Sequence, residues 1–334
     1  MKNTQDVMQQ HLEAYLKRQF PQREALVLSE LERTDVGYSY QTCFVSLTWK
    51  ESDGPVSERL VIRVEPETGC VPPYDIRPQY EVMKRLEGTA IPIPKTVCLE
   101  TGKDIIGHRF FVMEAIEGQV LYQSYLNHPE NRTQLENDYI SILAGMHELD
   151  WRGLGLSILK ESESAAQCVR SEIARWEQVI ETSIYNPLPI VSEVICWLKN
   201  NIPPADRMTL CHGDYHCQNL LARDGRVVAV LDWEMVKVGD PISDLGWACL
   251  LSNITKGFWS EHGIVESYQK ACGRTVDADR LFFWKVLAHI KLAAICLAAL
   301  RASMEFENPD MRQATIGIMG VPGLLDGAAQ MLGF

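Results

Sequence analysis

The stretch Leu210-Cys-His-Gly-Asp-Tyr-His-Cys-Gln-Asn-Leu-Leu221 gathers two histidines, two cysteines, an aspartate, a glutamine and an asparagine into a dozen residues. Three chemistries compete for it: a metal cage, a thiol nucleophile, or a loop that handles phosphate. Cys211, His212, His216 and Cys217 carry the atom types of zinc ligands. A structural zinc site, however, joins two short ligand pairs across a loop, and no second pair occurs in this chain. A Cys–His nucleophile pair is assembled by the fold, and adjacent side chains such as Cys211 and His212 point apart.

The phosphate reading accounts for more of the stretch. From His212 to Asn219 the pattern is H-x-D-x-x-x-x-N, the spacing of a kinase catalytic loop, in which the Asp orients a substrate hydroxyl and the Asn reaches magnesium. Such a site needs a second carboxylate, and Asp232 supplies one at the end of the β-type run "VVAVLDWE". Phosphoryl transfer asks little covalent chemistry of the protein: the phosphate, the metal and the acceptor oxygen must be held in line with their charge neutralised. Magnesium takes hard oxygen ligands and keeps several waters, so one hairpin, "NLLA" and "VVAVLDW" around the turn "RDGR", can carry the whole set.

The bulk composition is compatible with this. The chain has 334 residues, 46% hydrophobic and 23% charged, enough for two domains or one two-lobed unit. A formal charge of −12 and the lack of clustered Lys and Arg argue against a nucleic-acid partner. Ten scattered cysteines without a C-x-x-C pair, and a polar, amphipathic N-terminal stretch, predict reduced thiols and a cytoplasmic location. The most apolar run, Leu281 to Leu300, is interrupted by Lys285, His289 and Lys291, so it is read as a core helix and no membrane partner is expected. Phe282, Phe283, Trp284 and Met304 are read as core of the same helical region. No G-x-x-x-x-G-K-[ST] occurs, which removes the P-loop kinases.

Along the chain the first third reads as strands with one or two helices: "ALVLSEL", then a hairpin of "TCFVSLTW" and "ERLVIRVE" around Asp53-Gly54, a helix "YEVMKRLEG" closed by Gly88, and "RFFVMEAIEG". From Asn131 onward helical periodicity dominates, broken only by the hairpin that carries Asp214 and Asp232.

Taken together, "HGDYHCQN", "VLDWEMVKVGDPISDLGW" and "FFVMEAIEG" resemble the aminoglycoside phosphotransferase family of small-molecule kinases, which includes macrolide, choline-type and hydroxyacyl-CoA kinases. The resemblance runs from about Val36 to the final helices. It is most specific from His212 to Leu245, where H-G-D and D-W-E stand in place of the protein-kinase H-R-D and D-F-G. "ILAGMHELDW" together with "WEMVKVGDPISDLGW" is most similar to the hydroxyacyl-CoA and macrolide kinase branch. The resemblance implies an α+β, bilobal, protein-kinase-like fold. It implies that residues 1–115 form a small β-rich nucleotide-binding lobe and residues 116–334 a larger, mainly helical catalytic and substrate-binding lobe. It implies an ATP- and Mg2+-dependent phosphotransferase acting on a hydroxyl of a small molecule such as an antibiotic or a hydroxyacyl-CoA, with the choice between ATP and GTP left open.

Residue by residue, it implies that Asp214 is the catalytic base, that Asn219 and Asp232 bind magnesium, and that His212, Asp240 and Asp244 support the catalytic loop. Arg63 is the basic residue on the third strand expected to hold the phosphates and to pair with Glu81, and Arg59 is its alternate. Gly37, Ser39 and Thr42 are candidates for the phosphate-covering loop, which lacks G-x-G-x-x-G. Met113, Glu114, Ala115 and Ile116 form the lobe linker, offering main-chain groups to the adenine edge, with Phe111, Val112 or Met113 beside the ring. Glu161, Glu163 and Glu172 hint at an acidic acceptor cleft of the kind an aminoglycoside needs. Two other readings compete. A catalytically inactive nucleotide-binding scaffold conflicts with the complete Asp214, Asn219, Asp232 set. A protein kinase conflicts with the absence of D-F-G and A-P-E.

Overall fold

A computed structural model of the protein describes residues 2–33, 40–67, 71–72, 74–184, 186–305 and 311–334. The chain opens with helix α1 (Lys2–Gln19), followed by strands β1 (Glu24–Leu28), β2 (Glu32–Arg33), β3 (Gln41–Glu51) and β4 (Gly54–Val64). Helix α2 (Arg77–Leu86) and strands β5 (Thr96–Glu100) and β6 (Phe110–Glu114) complete the N-terminal lobe. Its sheet is antiparallel in the order β1-β3-β4-β6-β5, with β2 on β3.

The long hairpin forms where it was expected. β3 pairs with β4 in unbroken register from Gln41↔Val64 to Glu51↔Gly54, across a two-residue turn at Ser52-Asp53. In β3 the buried side chains alternate, Cys43, Val45, Leu47 and Trp49, and α1 covers that face with Leu12, Tyr15 and Leu16. The opposite face of the sheet, with Tyr40, Val61, Phe111 and Met113, packs on α2 and joins the core of the C-terminal lobe. α2 starts at a proline in its first turn and ends before Gly88, whose φ of +84° suits the left-handed residue that closes a helix.

The C-terminal lobe contains β7 (Gln119–Val120), α3 (Leu121–Asn127), α4 (Arg132–His147), α5 (Ala165–Ser183) and α6 (Pro189–Asn200). The segment that carries the H-G-D and D-W-E motifs follows, with β8 (Thr209–Cys211), β9 (Leu220–Arg223), β10 (Arg226–Val230) and β11 (Lys237–Gly239). Helices α7 (Ile242–Ile254), α8 (Glu261–Cys272), α9 (Ala278–Glu305) and α10 (Met311–Leu332) end the chain. The architecture is the bilobal kinase-like one that the motifs imply. Two short pairings went unread in the sequence: β8 with β11, and β7 with β9. The first sets the start of the His212–Asn219 loop beside the segment after Asp232, with Cys211 opposite Lys237. Each spans only two or three residues, too few to show a period.

The apolar run of α9 lies mostly inside the fold, with Phe283, Trp284, Val286, Leu287 and Ile290 all buried. Met304, near its end, is exposed instead of buried.

Candidate active site

The site is built where β8 runs out at Cys211. His212 is completely buried and bridges two segments: its Nδ1 accepts from the Asp214 amide at 3.2 Å and its Nε2 faces the Leu231 carbonyl at 3.0 Å. That fixes the neutral tautomer with the proton on Nε2, and burial, the largest influence, lowers the ring's pKa. Trp233, from D-W-E, packs on the imidazole at 4.6 Å between centroids. His212 thus ties the catalytic loop to the residue just before Asp232.

Gly213 follows with φ of +83°, and a Cβ there would stand 2.1 Å from the Met235 carbonyl oxygen. Only glycine fits such a conformation at such a close approach. The amides of His212 and Gly213 donate to the two oxygens of Asp244 at 2.8 and 2.9 Å, and His147 Nε2 lies 3.2 Å from Asp244 Oδ2. Burial would raise the Asp244 carboxyl, but His147, His212 and the Gly213 amide outweigh it and hold it below the usual range. Asp240 is held by Arg280 through a two-pronged contact at 2.8 and 2.7 Å, by Trp284 Nε1 at 2.9 Å and by the Ile242 amide at 2.8 Å. These bonds leave Asp240 and Asp244 as braces, one for the entry of α7 and one for the loop.

Asp214 carries a fixed donor on each oxygen. Trp247 Nε1 donates to Oδ1 at 2.7 Å, and Asn219 Nδ2 donates to Oδ2 at 2.8 Å and to the Asp214 carbonyl at 3.0 Å. His216 Nε2 stands 3.6 Å from Oδ1. Burial pushes this carboxyl up, but His216, Lys291 and His212 more than compensate and bring it to about 2. The group is an anion at any ordinary pH.

Asn219 and Asp232 meet through the hairpin, because the Leu231 amide donates to the Asn219 carbonyl at 2.8 Å. Asp232 has φ of +64° and ψ of +63°, a left-handed conformation that Asp tolerates better than most residues. Arg63 reaches across from β4: Nη2 donates to Asp232 Oδ1 at 2.8 Å and Nη1 to Thr42 Oγ1 at 2.9 Å. The expected pairing of Arg63 with Glu81 is therefore not the one found, since the guanidinium fork already spans β3 and the D-W-E segment. Arg59, the alternate, pairs at the surface with Glu32.

Among the described residues Asn219 Oδ1 and Asp232 Oδ2 accept no hydrogen bond, so each presents a hard oxygen of the kind magnesium takes. Gly37 and Ser39 lie outside the described residues. In the lobe linker the Glu114 amide donates to the Lys95 carbonyl at 2.9 Å and the Ala115 amide to the Arg59 carbonyl at 3.1 Å. Both serve the sheet, leaving Ile116 as the amide at this bend with no protein acceptor among the described residues. Phe111 and Met113 face the shared core, whereas Val112 packs on the α1 side of the sheet, away from the lobe interface. Glu172, mostly buried, pairs with Lys237 at 2.8 Å and Glu161 pairs with Arg152, whereas Glu163 is exposed with no ion pair among the described residues.

With the geometry in place, comparison with known proteins is informative. The model described as the phosphotransferase enzyme family matches residues 30–277. The chain belongs to that family. Acyl-CoA dehydrogenase family member 11 of Gallus gallus is 28% identical over 326 residues, covering 87% of this chain and 40% of that protein. The chain thus spans about 40% of the length of this curated relative and of its Rattus norvegicus counterpart. A solved structure from Ralstonia eutropha assigned to the aminoglycoside phosphotransferases superposes with TM-score 0.74 at 24% identity, covering 96% of this chain and 97% of that one. The aminoglycoside phosphotransferase APH(4)-Ia, solved with AMP-PNP and hygromycin B, gives TM-score 0.60 at 15% identity, covering 96% and 98%. Those two likenesses show the fold.

Three members of this candidate site are not singled out by the sequence reading. His216 was visible but weighed only as a zinc ligand. Trp247 lies inside the quoted motif "GDPISDLGW" without an assigned contact, and Lys291 showed only as a charge in an apolar run.

Proposed function

We propose that this phosphotransferase uses ATP and magnesium to phosphorylate a hydroxyl carried by an acyl-CoA thioester. The observation that carries the reading is the convergence of Asp214, Asn219 and Asp232, with Arg63 linking that cluster to the N-terminal sheet. Asn219 Oδ1 and Asp232 Oδ2 would hold magnesium, which would supply charge neutralisation at the transferred phosphoryl group. Arg63, with two donor edges and one carboxylate partner, suits phosphate oxygens. The Ile116 amide offers a donor to the adenine edge.

Asp214, with a pKa near 2, is too weak a base to strip an alcohol early. Its role is to accept the hydroxyl's hydrogen bond, aim the oxygen along the line of transfer, and take the proton late. A loose phosphoryl-transfer transition state requires little more. Trp247 and Asn219 hold the carboxylate still for this purpose.

Two observations support the acceptor class. The curated relatives are named for acyl-CoA. Of the three acidic residues that could greet a polycationic antibiotic, Glu172 is taken up by Lys237 and Glu161 by Arg152, which leaves Glu163 alone without an ion pair among the described residues. The test is ADP release by wild type, Asp214→Asn and Asp232→Asn with ATP and magnesium, across aminoglycosides, macrolides, choline-like alcohols and 4-hydroxyacyl-CoA thioesters. Stimulation by the thioesters that both substitutions abolish is expected. Stimulation by an aminoglycoside alone would overturn the acceptor, and activity in a folded Asp232→Asn protein would overturn the metal site.

A further inference from the structure

Helix α9 begins at Ala278, just past the stretch that the family model matches. It carries a lysine, Lys291, on its buried side at 7% exposure. An ammonium is costly to bury, so its contacts must compensate. Its Nζ donates to the carbonyl of Gly213, the residue before the proposed base. It also stands over the indole of Trp247, 4.0 Å from the ring centroid, with the Trp176 ring at 5.7 Å. Trp247 in turn donates its Nε1 proton to Asp214 Oδ1. The ammonium therefore reaches Asp214 twice, through the peptide that precedes it and through the indole that grips its carboxylate. A cation on the indole face draws electron density from the ring and strengthens the N–H as a donor.

We propose that Lys291 is a positioning residue for phosphoryl transfer: by holding the Gly213 carbonyl and the face of Trp247, its ammonium fixes the Asp214 carboxylate in the orientation that receives the acceptor hydroxyl. This rests on Asp214 being the group that receives it. The charged groups facing Lys291 are Glu172 from α5, Lys237 from β11, Asp214 from the catalytic loop and Asp244 from α7. Burial, then repulsion from Lys237, push Lys291 down from 10.5 to about 8, against the pull of the three carboxylates. Activity falls as pH rises through that value and the ammonium is lost. Stability moves the other way. A lysine whose folded pKa is depressed binds its proton more tightly when unfolded, so between about 8 and 10.5 its own share of stability rises with pH. Loss of rate without loss of melting temperature is therefore the signature.

The test measures kcat and KM for ATP from pH 6.5 to 9.5, with magnesium and a 4-hydroxyacyl-CoA thioester, and the melting temperature at each pH. The proteins are wild type, Lys291→Met, Lys291→Arg, Trp247→Phe and Asp214→Asn. Wild type is expected to lose kcat through about pH 8 with KM for ATP unchanged. Lys291→Met should lower kcat by about 10- to 100-fold at neutral pH and erase the alkaline inflection, in keeping with the loss of a preorganised contact. Lys291→Arg should restore part of the rate with a flat profile, since arginine does not titrate there. Trp247→Phe should lower kcat similarly, and combining it with Lys291→Met should add little. If Asp214→Asn is inactive while Lys291→Met keeps wild-type kcat and inflection, the Lys291 proposal falls and the Asp214 reading stands. Activity in Asp214→Asn removes both. Tryptophan fluorescence titrated over the same range needs neither acceptor nor a folded Lys291 variant: a step near pH 8 in wild type that Trp247→Phe loses is expected, and its absence overturns the proposal.

Discussion

Replacing Asp244 by Asn removes a charge and one acceptor from the carboxylate that braces the His212-Gly213 loop. Oδ1 takes the Gly213 amide, and Oδ2 takes the His212 amide and His147 Nε2. An asparagine does best with its oxygen toward His212 and His147, which turns its NH2 onto the Gly213 amide. One buried donor is then stranded and faces another donor. A buried unsatisfied donor costs about 1–3 kcal/mol, and losing a charged acceptor puts this case at about 2–3 kcal/mol. With an unfolding entropy of about 2.1 cal/mol/K per residue, about 2–3 kcal/mol corresponds to a fall in Tm of about 3–4 °C for 334 residues. Asp244→Ala strands all three donors, about 3–9 kcal/mol, a loss comparable with the whole stability of a domain. Thermal melting followed by circular dichroism, paired with kcat, checks both. In Asp244→Asn the rate should fall further than KM for ATP changes, because the His212-Gly213 peptide aims Asp214 while the nucleotide contacts lie elsewhere. A Tm within a degree of wild type for Asp244→Ala would refute the hydrogen-bond account of this brace.

Arg63→Ala should raise KM for ATP by about tenfold, the worth of one charge-assisted hydrogen bond. Arg63→Lys should recover only part of that loss, because one ammonium cannot span Thr42 and Asp232 as the fork does; steady-state kinetics in ATP decide, and an unchanged KM would remove Arg63 from nucleotide binding. Gly213→Ala combines a Cβ clash at 2.1 Å with a φ of +83°, so a destabilisation of about 2–6 kcal/mol and loss of turnover are expected; a folded, active variant would show the loop to be far more compliant than drawn. Acid should unfold the catalytic lobe early: Glu172, brought to about 2 by Lys237, Lys291 and Arg175 against the opposing effect of burial, and Asp214, also at about 2, contribute stability that is complete above their ordinary values of 4.5 and 3.8 and is lost as pH falls toward 2. Melting from pH 6 to 2.5 tests this, and Glu172→Gln should flatten the curve.

The sequence alone determined the chemistry that local spacing can encode. Asp214 and Asn219 are five residues apart on one loop, and Asp232 closes the hairpin that follows, so their convergence is a property of a single short segment. The β3–β4 hairpin and α2 were equally legible, because alternation, a tight turn and a terminal glycine are local signals. Tertiary structure decided the rest. Arg63 meets Asp232 across 169 residues of chain, so its choice of Asp232 over Glu81 depends on how the lobes close. Lys291 reaches Gly213 across 78 residues, from a helix whose apolar pattern announces only burial. Periodicity shows which face of an element is buried, but the partner on that face is set by packing between distant segments, and no spacing within either segment records it.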